Sequence, residues 1–237
     1  MRNLISMMTK RRMTNRIIYF LLFLCPLWLS VQGQRSVSVL ERYLQAKELV
    51  NIHTLDTSIR ADLKYATPDN FTKTILYDTL FNVYMHPVAA AKLVKAQKYL
   101  KTLYPGLSLL VYDAVRPLSV QKKMYKVVQN TKYAAYVANP ARTGLHNYGM
   151  AVDLTICDKN GKPLDMGTPF DFFGRAAGIN KEAELIEQGV LTMQQVANRK
   201  LLRKVMTQAG FLAIRGEWWH FNAVSLTEAK QLYNVIE

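Results

Sequence analysis

The sequence predicts an α+β fold: a single domain with a central, mainly antiparallel sheet flanked by helices. Three features predict it, namely stretches of helical length, separate apolar runs of strand length, and the lack of a regular strand–helix–strand alternation. The chain has 237 residues, of which 50% are hydrophobic and 20% are charged. This composition is typical of a globular protein and is long enough for one sizeable core.

The first 33 residues differ in composition from the rest of the chain. They contain five basic residues and no acidic ones, and an apolar run occupies residues 17–31. A basic start, a short apolar core and a small residue at its end are typical of a secretory signal. We therefore predict a signal peptide over residues 1–33, a mature domain over residues 34–237 and a periplasmic location. The alternative, an uncleaved membrane anchor, is disfavoured because the run contains Pro26 and falls short of the ~20 residues of a spanning helix.

Charge and cysteine content narrow the possible partners and metal ligands. The formal charge of +14 falls to +9 without the predicted signal peptide, and this excess suits an acidic cell-wall environment. Nucleic-acid binding is not expected, because the basic residues are scattered and form no basic helix. Cys157 is the only cysteine of the mature domain, which excludes an intrachain disulfide and a cysteine-rich zinc site. Any metal must therefore be held by histidines and carboxylates.

The first half of the mature domain contains two predicted helices around an extended segment. Residues 34–51 have a helical pattern, carried by the segment 37–50, and residues 56–71 form an extended segment that Pro68 interrupts. Residues 86–106 predict a strong helix that is rich in Ala, Leu and Lys. A proline stands near its start, and a Pro-Gly pair follows its end.

The second half predicts strands, helices and one long loop. The apolar run 107–115 has strand length and ends at an Arg-Pro pair, and a glycine ends the last predicted helix. The further elements are a helix over 117–130, a strand over 149–158, a Gly- and Pro-rich loop over 159–178, a helix over 192–210 and a strand pair over 211–222.

Two histidines have acidic residues at spacings that suit a metal site. His146 precedes Asp153 by seven residues, and His220 follows Glu217 by three. On a straight strand His146 and Asp153 would point to opposite faces, but Gly149 permits a turn after which both side chains can converge. Two histidines and one carboxylate can hold zinc and leave a fourth position open for water.

Hydrolysis at such a metal also needs a base and a group that stabilises developing negative charge. Glu217 is the candidate base, because a short segment ties it to His220. Arg116 is the candidate for the oxyanion, since it ends an apolar strand and its guanidinium stays charged.

Each of these features also has a purely structural interpretation. Asp113 and Arg116 can form a salt bridge that only fixes the end of a strand, and the segment 217–220 can be an ordinary half-buried strand. The two remaining histidines, His53 and His86, are expected to be ordinary hydrogen-bonded or surface residues.

Five segments, in this order, resemble the D-alanyl-D-alanine dipeptidases, the VanX-like branch of the zinc D,D-peptidases of peptidase family M15. They are DLKYATPDNF (62–71), YDAVRP (112–117), HNYGMAVDLT (146–155), MGTPFDFF (166–173) and EWWH (217–220).

The resemblance implies a zinc D,D-peptidase fold and one zinc ion per chain, bound by His146, Asp153 and His220. It implies that Glu217 is the general base and acid and that Arg116 stabilises the oxyanion. It also implies that Asp171 binds the free ammonium group of a small dipeptide, and that Tyr65 lines the same site.

The sequence departs from the family pattern at two places that are expected to touch the substrate pocket. Gly144 stands where the family often has a serine, with Thr143 beside it. The segment Asp-Ala-Val-Arg-Pro, residues 113–117, stands where the family has Asp-Gly-Tyr-Arg-Pro. These departures leave hydrolysis as the expectation and leave strict specificity for D-Ala-D-Ala open.

Three functions remain to be separated. The leading hypothesis is hydrolysis of D-Ala-D-Ala or a similar dipeptide in peptidoglycan turnover, recycling or vancomycin-type resistance. The first alternative is a D,D- or L,D-carboxypeptidase that acts on peptidoglycan stem peptides. The second is a cell-wall binding module that keeps the fold but lacks catalysis. The sequence indicates no oligomeric state.

Overall fold

The computed structural model describes residues 37–237, so the predicted signal peptide lies outside the described residues. Within this part of the chain no helix is long and apolar enough to cross a membrane. The helices and strands are, in chain order, α1 (Val39–Ala46), β1 (Val50–Asn51), β2 (Arg60–Ala61), β3 (Tyr84–Met85), α2 (Pro87–Leu103), β4 (Ser108–Asp113), α3 (Leu118–Val128), β5 (Ala151–Cys157), α4 (Glu182–Glu187), α5 (Met193–Gln208), β6 (Leu212–Ala213), β7 (His220–Asn222) and α6 (Leu226–Leu232).

The central sheet has five strands in the order β2-β4-β5-β7-β6. The pair β2–β4 is parallel and the other three pairs are antiparallel. This mixed sheet confirms the predicted α+β class and corrects the prediction in one respect, because the edge strand β2 runs parallel to its neighbour. Strands β4 and β5 are buried along their whole length, which explains why both read as apolar runs in the sequence.

The long helices begin and end where the sequence predicts. The side chain of His86 caps α2 and Pro87 occupies its first turn, where a missing backbone N–H costs no hydrogen bond. Thr192 and Gln195 form a reciprocal capping box at the start of α5. Helices α2 and α5 lie against each other, and each also contacts a central strand.

Several short elements were not predicted. Helices α4 and α6 have six and seven residues, and the strand pair β1–β3 has two residues per strand. Such segments are too short to display a helical or strand period in the sequence. The first helix is also shorter than predicted. It ends at Ala46, and β1 begins at Val50, within the segment that was expected to be helical.

The registers of the three middle strands place polar side chains together. Asp153 on β5 pairs with Asp113 at the end of β4 on one side and with His220 on β7 on the other. Directly opposed residues of an antiparallel pair share a face of the sheet. The sheet therefore assembles two acids and one histidine from three distant segments.

A tight turn brings His146 to the same place. His146 lies in a short 3₁₀ helix (Leu145–Tyr148) that ends at Gly149, whose φ is +65°. A Cβ atom at Gly149 would lie 2.9 Å from the backbone nitrogen of His86. Both the backbone conformation and the lack of space require glycine at this turn, as the sequence suggested.

We predict that Gly149→Ala lowers the free energy of unfolding by about 1–3 kcal/mol, because alanine is strained at this φ and has no room for its Cβ. Chemical denaturation followed by circular dichroism measures the change. Gly106→Ala is the control, since a Cβ there would have no neighbour within 4 Å and should change stability by under ~0.5 kcal/mol. Equal effects of the two substitutions would contradict the prediction.

Candidate metal centre and active site

Three potential metal ligands converge at the end of the central sheet. The Nδ1 atom of His220 lies 2.9 Å from one carboxylate oxygen of Asp153, and Nε2 of His146 lies 3.3 Å from the other. The same two ring nitrogens are 3.2 Å apart. One ligand atom from each of the three residues lies within 4.8 Å of the others.

In each histidine, one ring nitrogen faces the other two candidate ligands and the second ring nitrogen is hydrogen-bonded elsewhere. The partner of the second nitrogen determines whether the first can bind a metal. Nδ1 of His146 lies 2.5 Å from the carbonyl oxygen of Ala114, and Nε2 of His220 lies 2.7 Å from the amide oxygen of Asn222. Because these oxygens accept hydrogen bonds, both outer nitrogens are assigned as N–H donors. When the inner nitrogens are unprotonated, they direct lone pairs at each other and at Asp153, an arrangement that a bound cation stabilises and that is common around metal-bound histidines.

The electrostatics of the cluster favour an ionised Asp153. Burial by itself raises the pKa of this carboxyl, but the charges and hydrogen bonds of His146 and His220 outweigh burial and hold the pKa well below its usual range. For His220, burial lowers the pKa, and the hydrogen bond and charge of Asp153 more than compensate and raise it to about 9. The ionised Asp153 therefore favours a positively charged neighbour, either a protonated histidine or a cation, and the donor set suits zinc.

Arg116 lies beside this cluster and is held on two sides. Its Nε and Nη2 atoms donate to Asp113 at 2.9 and 2.6 Å, and Nη1 donates to Gln121 at 2.9 Å. Nη2 also lies 3.6 Å from the carboxylate of Asp153. The structural salt bridge with Asp113 thus exists, and it leaves Arg116 on the wall of the cavity next to the candidate ligands.

Asp171 and Tyr65 form a second polar group across the cavity. The hydroxyl of Tyr65 lies 2.9 and 3.0 Å from the two carboxylate oxygens of Asp171, and the guanidinium of Arg116 lies 5.2 Å from the centre of the Tyr65 ring. Burial raises the pKa of Asp171 well above its usual value, and the charge of Asp153 adds to the rise. A cationic partner would offset the cost of this buried carboxylate.

Glu217 faces the same cavity from the segment between β6 and β7. Burial raises the pKa of its carboxyl, and the positive charge of His220 partly counteracts the rise. The next two residues are buried tryptophans. Trp218 donates its indole N–H to Thr168 at 2.8 Å, and Trp219 packs against Phe170 with ring centres 5.5 Å apart. These contacts fix the backbone that carries Glu217 and His220.

All seven residues predicted for the site line one cavity of about 330 Å³, a volume at the small end of ligand pockets. Around these polar groups the wall is mainly apolar and aromatic. Among the described residues, Arg116 is the only lysine or arginine that lines the cavity. The apolar and aromatic lining residues include Phe71, Met124, Tyr136, Val137, Phe173 and Leu226.

The two departures from the family pattern differ in their consequences. Gly144 lines the cavity, so the lack of a side chain there directly shapes its wall. Ala114 and Val115 are buried and do not line it, so the expectation that they touch the substrate pocket is wrong. Their backbone carbonyls instead accept hydrogen bonds from His146 and Tyr77.

The other two histidines have structural roles, as expected. His53 bonds the carbonyl oxygen of Ile59 at 2.9 Å, and His86 caps helix α2. Sequence reasoning missed two polar neighbours of the site, Asn222 and Gln121. Asn222 follows His220 by two residues on a strand, so the strand period places both side chains on one face and could have revealed it.

Comparison with known proteins relates the chain to one family. A family model described as D-ala-D-ala dipeptidase matches residues 45–237. The D-alanyl-D-alanine dipeptidase of Escherichia coli K12 is 32% identical over 174 residues, which cover 73% of this chain and 83% of that protein. The D-alanyl-D-alanine dipeptidase of Enterococcus faecalis is 30% identical over 192 residues, covering 70% of this chain and 86% of that protein.

We predict that Asn222→Ala weakens zinc binding by about 10- to 100-fold, because His220 loses the acceptor that orients its ring. Competition with a fluorescent zinc chelator measures the dissociation constant. His220→Ala is the reference and should release the metal altogether, as the loss of a ligand does. An unchanged dissociation constant in Asn222→Ala would show that Asn222 does not support the ligand.

Proposed function

The chain belongs to the D-Ala-D-Ala dipeptidase family of metallopeptidases, and on this basis we propose that it hydrolyses D-alanyl-D-alanine or a similar small D-amino-acid dipeptide. In this proposal one zinc ion is held by His146, Asp153 and His220. The observation that carries it is the convergence of this ligand set with a half-buried glutamate, an arginine and a second half-buried carboxylate in one small cavity.

The bound zinc would supply Lewis acidity, which polarises a carbonyl and lowers the pKa of water. Glu217 is the proton carrier: it takes a proton from the attacking water and returns it to the leaving amine. Burial supports this role, because a raised pKa brings the carboxyl closer to the pH at which it can both accept and donate. The packed tryptophans limit the positions that its side chain can reach.

Arg116 stabilises the negative charge that develops on the scissile carbonyl oxygen. Its side chain has five N–H donors, of which the bonds to Asp113 and Gln121 use three. Two donors therefore remain for substrate. Burial alone lowers the pKa of the guanidinium, but Asp113, Tyr65, Tyr77 and Asp153 together outweigh burial and keep the pKa well above its usual value, so the charge persists at any working pH.

Asp171 binds the free ammonium group of the dipeptide and makes the enzyme selective for unblocked substrates. Its half-buried carboxylate lies against Tyr65 and faces the cavity, and no arginine or lysine in residues 37–237 forms a salt bridge with it. The phenol of Tyr65 stays a hydrogen-bond donor, because burial raises its pKa well above the usual value. A substrate ammonium would supply the missing positive charge.

We also propose a cellular setting from the N-terminal composition. Residues 1–33 direct export, so that the mature enzyme acts in the periplasm on dipeptides released from the cell wall. An exported enzyme of this kind suits turnover or recycling of peptidoglycan. A carboxypeptidase acting on stem peptides remains the alternative, and blocked substrates separate the two.

We predict that Glu217→Gln keeps one zinc ion per chain but lowers kcat by roughly 10²- to 10⁴-fold, because the amide cannot carry the proton. Elemental analysis gives the metal content, and release of free D-alanine gives the rate. Glu228→Gln, an exposed substitution on α6, serves as the control and should retain full activity. Full turnover by a zinc-loaded Glu217→Gln variant would remove Glu217 from the mechanism.

We predict that the wild-type protein cleaves free D-Ala-D-Ala but neither N-acetyl-D-Ala-D-Ala nor a pentapeptide stem, because Asp171 requires an ammonium group. Asp171→Asn should lower kcat/KM for the free dipeptide by roughly 10- to 100-fold, which corresponds to the loss of one hydrogen bond between charged groups. Asp78→Asn, an exposed carboxylate outside the cavity, is the matched control. Strong cleavage of the blocked peptides would favour the carboxypeptidase instead.

A further inference from the structure

Gln121 makes two hydrogen bonds that link the candidate catalytic arginine to the wall of the cavity. Its side-chain oxygen accepts from Nη1 of Arg116 at 2.9 Å, and its side-chain nitrogen donates to the carbonyl oxygen of Ala138 at 2.7 Å. The residue is only 1% exposed. Both polar ends of this buried amide therefore have a partner, and the two partners belong to different parts of the site.

The place of Gln121 in the fold makes this link stiff. Helix α3 starts directly after Arg116 and Pro117, and Gln121 lies in its first turn with its backbone N–H bonded to the carbonyl of Pro117 at 3.0 Å. The arginine and the glutamine are thus joined through one helical turn as well as through their side chains. Movement of Arg116 relative to α3 would break the contact.

The second partner belongs to a segment that shapes the substrate cavity. Residues 137–144, termed here the cavity loop, contribute three lining residues, Val137, Ala138 and Gly144. The loop ends at the turn that carries His146, one of the candidate ligands. Gln121 therefore connects this loop to the guanidinium through one side chain.

We propose that Gln121 is a positioning residue for the reaction proposed above: it holds the oxyanion donor Arg116 and the cavity loop in one fixed relation. Nε and Nη2 of the arginine both donate to the same carboxylate oxygen of Asp113. Two donors on one acceptor restrain rotation of the guanidinium about that oxygen less than a bidentate pair on both carboxylate oxygens would. The bond from Nη1 to Gln121 holds a third nitrogen of the guanidinium and so restrains its rotation.

The chemistry of the two contacts selects an amide at this position. A glutamate could accept from Arg116 but could not donate to the carbonyl of Ala138, and a lysine could donate but not accept. Asparagine has the right groups on a side chain that is one methylene shorter. Loss of the link should therefore displace Arg116 more than it changes the metal site, and small displacements of a catalytic group cost large factors in rate.

The test compares Gln121→Met with Gln97→Met in the zinc-loaded, full-length protein. Gln97 is also fully buried and bonded through both ends of its amide, to Ser58 and to the backbone N–H of Leu109, but it does not line the cavity. Both substitutions remove a satisfied buried amide, so both are expected to lower stability. Only Gln121→Met should alter the reaction.

We expect Gln121→Met to bind one zinc ion per chain and to lower kcat for D-Ala-D-Ala by about 10- to 100-fold. Its inhibition constant for the phosphinate analogue of the dipeptide, a mimic of the tetrahedral state, should rise by a similar factor. The KM for D-Ala-D-Ala should change much less, because the neutral carbonyl oxygen of the bound substrate interacts with Arg116 more weakly than the oxyanion does. Gln97→Met should leave all three constants close to wild type.

Two results would overturn the role of Gln121. One is a folded Gln121→Met variant with wild-type kcat and phosphinate affinity; the other is an equal loss in Gln97→Met. If Gln121→Met does not fold, Gln121→Asn replaces it and should show the same pattern, since its shorter side chain cannot span both partners. A wild-type protein that binds zinc but cleaves no dipeptide would overturn the proposed function together with this role.

Discussion

The pairing of β5 with its two neighbours is the constraint on which the site depends. Asp153 on the central strand faces Asp113 on β4 and His220 on β7, so the candidate metal ligand and the partner of the arginine share one face. A slip of one residue in either pairing would turn these side chains to opposite faces. The burial of β4 and β5 on both sides opposes such a slip, because polar groups would then replace apolar ones in the core.

The site also requires that the negative charges of its carboxylates be balanced by positive charge. Four carboxylates share a small, largely buried volume with one arginine. Asp113 bonds Arg116 directly, and the other three, Asp153, Asp171 and Glu217, line the same cavity. Burial raises the pKa of three of these carboxyls, whereas the two histidines hold that of Asp153 down. Unpaired buried charges are costly. A divalent cation and a substrate ammonium would each neutralise part of this excess, so ligand binding and stability of the site are expected to be linked.

Much of this arrangement could be predicted from the sequence, and the failures have identifiable causes. The start of α2 is marked in the sequence by its capping residue and proline. Gly149 predicted the turn that brings His146 close to Asp153. Gln121 could not be predicted, because its partner Ala138 is brought near by tertiary packing alone. Ala114 and Val115 were expected in the pocket because they depart from the family pattern, whereas both side chains are buried outside the cavity and only their carbonyls contact site residues or their neighbours.

The proposed hydrolysis depends on a single cation held by two imidazole nitrogens and one carboxylate at the end of this sheet. Crystals grown with zinc, with diffraction data collected on both sides of the zinc absorption edge, test it most directly. We expect one strong anomalous peak bonded to Nε2 of His146, Nδ1 of His220 and the carboxylate of Asp153, with Glu217 outside the ligand set. No peak at this position, or a peak that takes Glu217 in place of Asp153, would contradict it.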